Sequence, residues 1–250
     1  MKNIEKKGSI LSSDKQYSVQ DLRSKFFDKS KGNTLDKINS FTKYTGRQNI
    51  AKLLAQHELF SKTNNILGDI VEGGIYHGSG MFAWANIAVS LEPYNYQCKI
   101  IGFDTFEGST GITKKDISNK NILRKEKEYN ANNYTDILKA IEIFDNDRPL
   151  NHIKKIEVVK GDISKTVKKY VQINKQQTVR LLHLGMNLYK PTYFSLKYFL
   201  PRMPKGAIVV IDGLNHAAPG CMQALKENID ISKIRLKTFD YFPNFTYFEI

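Results

Sequence analysis

Glu72, Asp104, Asp162 and Asp212 each stand at or just beyond the end of a short apolar run that reads as a β-strand, so four carboxylates are delivered to strand ends. The first of them opens the phrase Glu72-Gly-Gly-Ile-Tyr-His-Gly-Ser-Gly80, which runs into the apolar stretch Met81 to Leu91. Glycines at 73, 74, 78 and 80 let backbone approach a ligand closely, and a helix starting near Ser79 points its first amide hydrogens into the same space. The spacing is not the dinucleotide fingerprint G-x-G-x-x-G, and Glu72 stands where a pyrophosphate would be repelled. An ammonium group suits that carboxylate better.

Asp104 is placed to take both hydroxyls of a ribose in a bidentate grip. NAD would be read by the same acid. Asp162, at the next strand end, discriminates, because it can accept from an adenine amino group in a ligand with a single nucleoside. Its alternative role is the N-cap of the helix from Ser164 onward. An amino acid joined to one nucleoside describes S-adenosylmethionine, and its demethylated product is S-adenosylhomocysteine.

The elements that must position these groups alternate. Strands are expected in the short apolar run that leads from Gly68 into the glycine-dense turn, and at Lys99 to Phe103, Ile156 to Val159, Val179 to Leu184 and Ala207 to Ile211. Helices are expected at Arg47 to Phe60, Met81 to Leu91, Tyr134 to Phe144, Ser164 to Val171, Pro191 to Phe199 and around Ala224. Ile234 to Phe239 and Phe245 to Ile250 complete the pattern as an antiparallel pair across a Pro-Asn turn. This predicts a Rossmann-like α/β sheet, mostly parallel, of seven strands with an antiparallel C-terminal strand and helices on both faces. Right-handed crossovers then bring all the parallel strand ends to one edge, where the ligand must sit. Residues 1–40 read as a polar leader packing on a single domain at 41–250. His57, His77 and His183 are assigned packing or ligand-shaping roles.

Composition bounds the rest. With 250 residues, 41% hydrophobic and 25% charged, the chain is of ordinary globular make-up. Met1 to Tyr17 lacks an apolar core and no segment approaches the ~20 apolar residues that span a bilayer, so neither signal peptide nor membrane association is expected. Cys98 and Cys221 are too few for a disulfide framework, and a cytoplasmic setting fits. The net charge of +13 is spread along the chain without an aromatic-interleaved basic motif, which argues against a nucleic-acid partner.

Tyr44-Thr-Gly-Arg47, Gly68-Asp-Ile-Val-Glu-Gly-Gly74, Leu91-Glu-Pro-Tyr-Asn95, Ile100-Ile-Gly-Phe-Asp-Thr-Phe-Glu-Gly108, Leu188-Tyr-Lys-Pro-Thr192 and Pro201-Arg-Met-Pro-Lys-Gly206 resemble the macrocin O-methyltransferase (TylF-like) family from Tyr44 to the C-terminus. The resemblance implies a class I methyltransferase that moves a methyl group from S-adenosylmethionine to a hydroxyl, on a sugar or other small-molecule acceptor, with a homodimer as the expected assembly. It adds Tyr44 and Thr105 to Glu72, Gly73, Gly74, Gly78, Ser79, Asp104 and Asp162 as the expected cofactor contacts. It also implies a divalent cation held by an Asp-x-Asp after the fourth strand and a second acidic pair after the fifth. Here those places read Gly185-Met-Asn187 and Asp212-Gly213, one acid plus one amide, a poor cage for Mg2+. No tightly held metal is expected.

Without the cation, Asp212 and His216 are the expected proton acceptors. Two other functions stay open: a cofactor-binding relative that is catalytically weakened and serves as a partner or regulatory subunit, and an RNA or protein methyltransferase. The polar segment Gly111 to Asn133 is too long for an ordinary connection. It is expected to act as a lid that presents Lys114 and Lys115 to an anionic acceptor.

Overall fold

A computed structural model describes residues 14–117, 125–214 and 218–250. The chain falls into two compact units, residues 1–51 and 52–250. Helices α1 (Asp14–Lys29), α2 (Thr34–Asn39) and α3 (Phe41–Tyr44) belong to the first, and α4 (Arg47–Lys62) crosses the division. The segment expected to be a polar leader is therefore helical over most of its described length. Two local signals account for this. Asn33 and Asp36 form a reciprocal capping box at the start of α2, and Phe26 and Phe27 on α1 pack against the Tyr44 ring at centroid distances of 5.9 and 5.0 Å.

The second unit is the expected sheet. Its strands are β1 (Asp69–Gly73), β2 (Ile100–Asp104), β3 (Ile156–Lys160), β4 (Val179–Leu184), β5 (Ile208–Asp212), β6 (Lys237–Phe239) and β7 (Phe242–Glu249). They lie in the order β3-β2-β1-β4-β5-β7-β6, the first five parallel and β7 antiparallel to both neighbours. Helices α5 (Ser79–Leu91), α6 (Tyr134–Asn146), α7 (Ile163–Ile173), α8 (Tyr189–Phe199) and α9 (Pro219–Asn228) alternate with the strands. No described helix is long and apolar enough to cross a membrane.

The continuous apolar runs of the central strands follow from burial on both faces. Side chains alternate along a strand. Ile70, Ile100, Leu181 and Ile208 accordingly join the core under α4, α5 and α6, with Leu59, Phe60, Met81 and Trp84. Their successors Val71, Ile101, Leu182 and Val209 join the opposite core under α7, α8 and α9, with Val167, Leu196, Phe199 and Leu225. Cys98 and Cys221 are buried and form no disulfide.

The C-terminal hairpin differs from expectation. Its turn is at Asp240 and Tyr241, and Pro243 and Asn244 lie inside β7. A register irregularity between Thr238 and Phe239 explains how: a proline that cannot donate to a ladder is tolerated at a bulge. The polar connection after β2 is only partly described. Ser109 and the Lys127–Glu128 pair exchange two backbone hydrogen bonds of 2.8 Å, closing the base of the excursion. Within it, Lys114–Asp116 form a short 3-10 turn, while residues 118–124 lie outside the described part.

Candidate active site

A cavity of about 330 Å³ opens at the carboxyl ends of the parallel strands, where β1 and β4 part company in sequence order. That volume is at the lower end of the range for small-molecule sites. Glu72, Asp104, Asp162 and Asp212 all reach its wall.

Glu72 is 3% exposed. Gly80 makes room for it: a β-carbon there would lie 2.2 Å from Glu72 Oε1. Glu72 Oε2 is buried and has no hydrogen-bond partner, and the nearest cationic candidate, His183 Nδ1, is 3.8 Å away. A buried carboxylate oxygen without a donor is costly unless a ligand supplies one, so the atom fits an ammonium.

Gly74, Ser79 and Gly80 are on the wall, whereas Gly73 and Gly78 are behind it. The close approaches at those two glycines are made by the protein itself. A β-carbon on Gly73 would strike Met186 Sδ at 2.4 Å, and one on Gly78 would strike Ile137 Cδ1 at 2.7 Å. Gly78 also caps α5 with φ 83°, a conformation that disfavours other residues.

Asp104 is held by its own turn. Oδ2 accepts from Tyr76 N at 2.9 Å and Oδ1 from Phe106 N at 2.7 Å, which leaves each oxygen one further lone pair for a ribose hydroxyl. Thr105 lines the cavity, but its hydroxyl donates to Gly108 O at 2.8 Å and shapes the turn. Asp162 Oδ1 caps α7 through Ser164 N at 2.9 Å, and the residue also lines the cavity. Tyr44 lies in the first unit, its hydroxyl 3.0 Å from Ser30 Oγ. His216 lies outside the described residues.

At the other end Asp212 Oδ1 is 2.9 Å from His183 Nε2. Glu72 and His183 are register partners on β1 and β4, and His183 is in turn the partner of Val210 on β5. Period-two alternation puts Glu72, His183 and Asp212 on the same face of three neighbouring strands. Burial opposes the imidazolium, but the charges of Asp212 and Glu72 outweigh it and raise the His183 pKa to about 9. Trp84 Nε1 pulls the other way, because it donates to His183 Nδ1 and so favours the neutral ring. That contact is long at 3.3 Å and involves no full charge, so the upward direction prevails.

The cation site implied by the resemblance does not fit these residues. Gly185 and Gly213 have no side-chain oxygen and Asp212 Oδ1 is engaged by His183, so the acids of the family's pattern are reduced to one; Asn187, whose Nδ2 donates to Gly185 O at 3.3 Å, offers only its neutral Oδ1, which is buried without a hydrogen-bond partner. Among the described residues no cluster of three or more His, Cys, Asp or Glu is arranged to hold a metal.

Of the two lysines expected to meet an acceptor, Lys115 is engaged by the protein itself and neither lines the cavity. Lys115 pairs with Glu227 at 2.7 Å and lies 3.8 Å above the Tyr189 ring. Asp116, 4% exposed, ties this turn to the start of α8 by accepting from Tyr189 N at 2.6 Å. Sequence reasoning missed Lys52 on the cavity wall, where no motif marks it. Met186 and Tyr129 also line the cavity, the first within the phrase read at the end of the fourth strand and the second within the polar segment expected to act as a lid.

The sequence model of the macrocin-O-methyltransferase (TylF) family matches residues 3–244. The chain belongs to this family. The match begins far ahead of Tyr44, so the family pattern takes in most of the first unit as well. Among solved structures, CalS11, a calicheamicin methyltransferase, superposes with a TM-score of 0.90 at 24% identity, covering 95% of this chain and 93% of its own. The apo form of CalS11, described as a TDP-rhamnose 3'-O-methyltransferase of calicheamicin biosynthesis, gives 0.81 at 22% identity over 95% of each chain. The O-methyltransferase NovP gives 0.57 at 17% identity over 80% of this chain and 79% of its own. At these identities the likeness is one of fold. No curated protein sequence matches the chain significantly.

Proposed function

We propose that this TylF-family protein transfers a methyl group from S-adenosylmethionine to a hydroxyl of a sugar or other small molecule, and does so without a divalent cation. The observation that carries the reading is the row of carboxylates on one cavity wall, one of which, Glu72, keeps a buried oxygen free of any donor. Glu72 would take the ammonium of the methionine end, Asp104 the ribose hydroxyls and Asp162 the adenine edge. When bound, the cofactor supplies a methyl carbon made electrophilic by its sulfonium.

The chain's own residues do the rest. The cavity would hold the acceptor oxygen near the methyl, and such positioning is a main source of acceleration in a displacement. Asp212, fixed by His183, stands at the end away from Asp104 and Asp162 and takes the acceptor's proton. His216 remains a proposed second acceptor on sequence grounds.

A second reading is favoured by Gly185, Asn187 and Gly213: a relative that binds cofactor without turning over. Titration calorimetry with S-adenosylhomocysteine and NAD, followed by turnover on TDP-rhamnose and simple glycosides in excess chelator, separates the two. Tighter binding of NAD overturns the cofactor assignment. Binding of S-adenosylhomocysteine with no turnover on any acceptor, with or without Mg2+, favours the non-catalytic relative.

A further inference from the structure

On the wall of the cavity stands a lysine that neither the motifs nor the resemblance marks. Lys52 is on α4, half-buried, and is the one Lys or Arg among the described residues that line the cavity. It makes no ion pair with a described residue; its Nζ lies 5.8 Å from the centre of the Phe245 ring. That ring packs against His183 at 4.9 Å, and His183 faces Glu72 Oε2 at 3.8 Å. One turn along α4, Gln56 is buried and donates to Gly80 O at 3.1 Å. Gly80 is the residue against which the Glu72 carboxylate lies. Residues four apart share a helix face, so Gln56 anchors the face of α4 that carries Lys52 beside the Glu72 corner of the cavity.

This corner thus holds two opposite charges that do not satisfy each other: a buried carboxylate oxygen with no hydrogen-bond donor, faced only by the His183 ring at 3.8 Å, and an ammonium that makes no ion pair with a described residue. The α-amino acid end of a ligand presents the complementary pair, an ammonium and a carboxylate on one carbon.

We propose that Lys52 binds the carboxylate of the cofactor's methionine moiety while Glu72 takes its ammonium, so that the two residues clamp the zwitterion. The proposal rests on the cofactor reading above and extends it to a residue and a selectivity. The cavity discriminates by charge between a nucleoside that carries an amino acid and one that does not. A charge-assisted contact is required at each end, and loss of either one leaves the other half of the zwitterion without a partner.

Titration calorimetry on the full chain with S-adenosylhomocysteine and with 5′-methylthioadenosine, which lacks the amino acid, tests this. In Lys52→Met, S-adenosylhomocysteine should bind at least about tenfold more weakly. Binding of 5′-methylthioadenosine should change less than about twofold, and Lys52→Arg should recover most of the loss. Unchanged S-adenosylhomocysteine affinity in Lys52→Met overturns the proposal and assigns the lysine to the acceptor or to solvent. An equal loss for both ligands also overturns it, because the residue then acts only on the shape of the site. If the parent protein binds neither ligand, the cofactor reading itself falls and this inference with it. Failure confined to Lys52→Met leaves that reading standing.

Discussion

Asp212 Oδ1 and His183 Nε2 lie 2.9 Å apart across neighbouring parallel strands, with the imidazole fully buried and the carboxylate reaching the cavity. The pairing fixes the one acid left at the β4 and β5 ends, and it makes the protein's stability depend on pH.

His183 has its pKa raised from 6.5 to about 9 in the fold. The stabilisation from its charged form is therefore complete below pH 6.5 and is lost as pH rises through about 9. The melting temperature should fall over that interval. In His183→Gln the slope should flatten, because no group then loses a proton between the two carboxylates. An unaltered slope in the variant would remove His183 as its cause.

Asp104 binds its own turn as well as the expected ribose. Asp104→Ala should weaken S-adenosylhomocysteine by more than tenfold, from a loss of about 2 kcal/mol. It should also destabilise the fold, since the amides of Tyr76 and Phe106 lose their acceptor. Asp104→Asn keeps one acceptor oxygen and should separate the effects, with most of the stability retained and most of the affinity gone. Calorimetry and thermal melts on both variants read the two quantities independently.

Gly80→Ala introduces a β-carbon 2.2 Å from Glu72 Oε1. The carboxylate must shift, at a cost of about 1–3 kcal/mol typical of overpacking. Cofactor affinity should fall with it, while Ser79→Ala, at the neighbouring cavity position, should cost much less stability. Equal stability losses in the two variants would show that the Gly80–Glu72 contact is not special.

Activity should be the same in excess chelator as with added Mg2+. The gain-of-site variant is the sharper test. A β-carbon at Gly185 meets nothing closer than 3.4 Å and would point an acid toward Asp212 Oδ2, and Asn187, at φ 56°, is in a conformation that Asp tolerates. Gly185→Asp with Asn187→Asp should therefore bind Mn2+, followed by electron paramagnetic resonance, where the parent binds none. Adding Gly213→Glu should contribute less, because φ 59° strains a side chain there. Parent protein that binds Mn2+ tightly would contradict the metal-independent reading.

The sequence by itself determined the sheet and the edge that carries the site. Strand periodicity, glycine turns and the Asp104 phrase are local signals, and the right-handed crossover turns them into one ligand-binding edge with little freedom. The same logic left the first unit dark. Its apolar residues are sparse, and the capping box at Asn33 and Asp36 is weak until the helix around it exists. At the hairpin, Pro243 reads as a turn in sequence and sits in a strand only because a bulge accommodates it.

Tertiary structure alone decided which atoms are satisfied. Glu72, His183 and Asp212 are far apart in the chain, and only the order β1-β4-β5 puts the imidazole between two acids. Whether a glycine serves the ligand or the protein was equally hidden: Gly73 and Gly78 yield to Met186 and Ile137, residues of distant elements. Lys52 has no motif at all. Its position became visible only when packing showed a cavity corner in which a lysine that makes no ion pair among the described residues stands near a buried carboxylate oxygen that has no hydrogen-bond donor, a property of three-dimensional arrangement that a linear pattern does not encode.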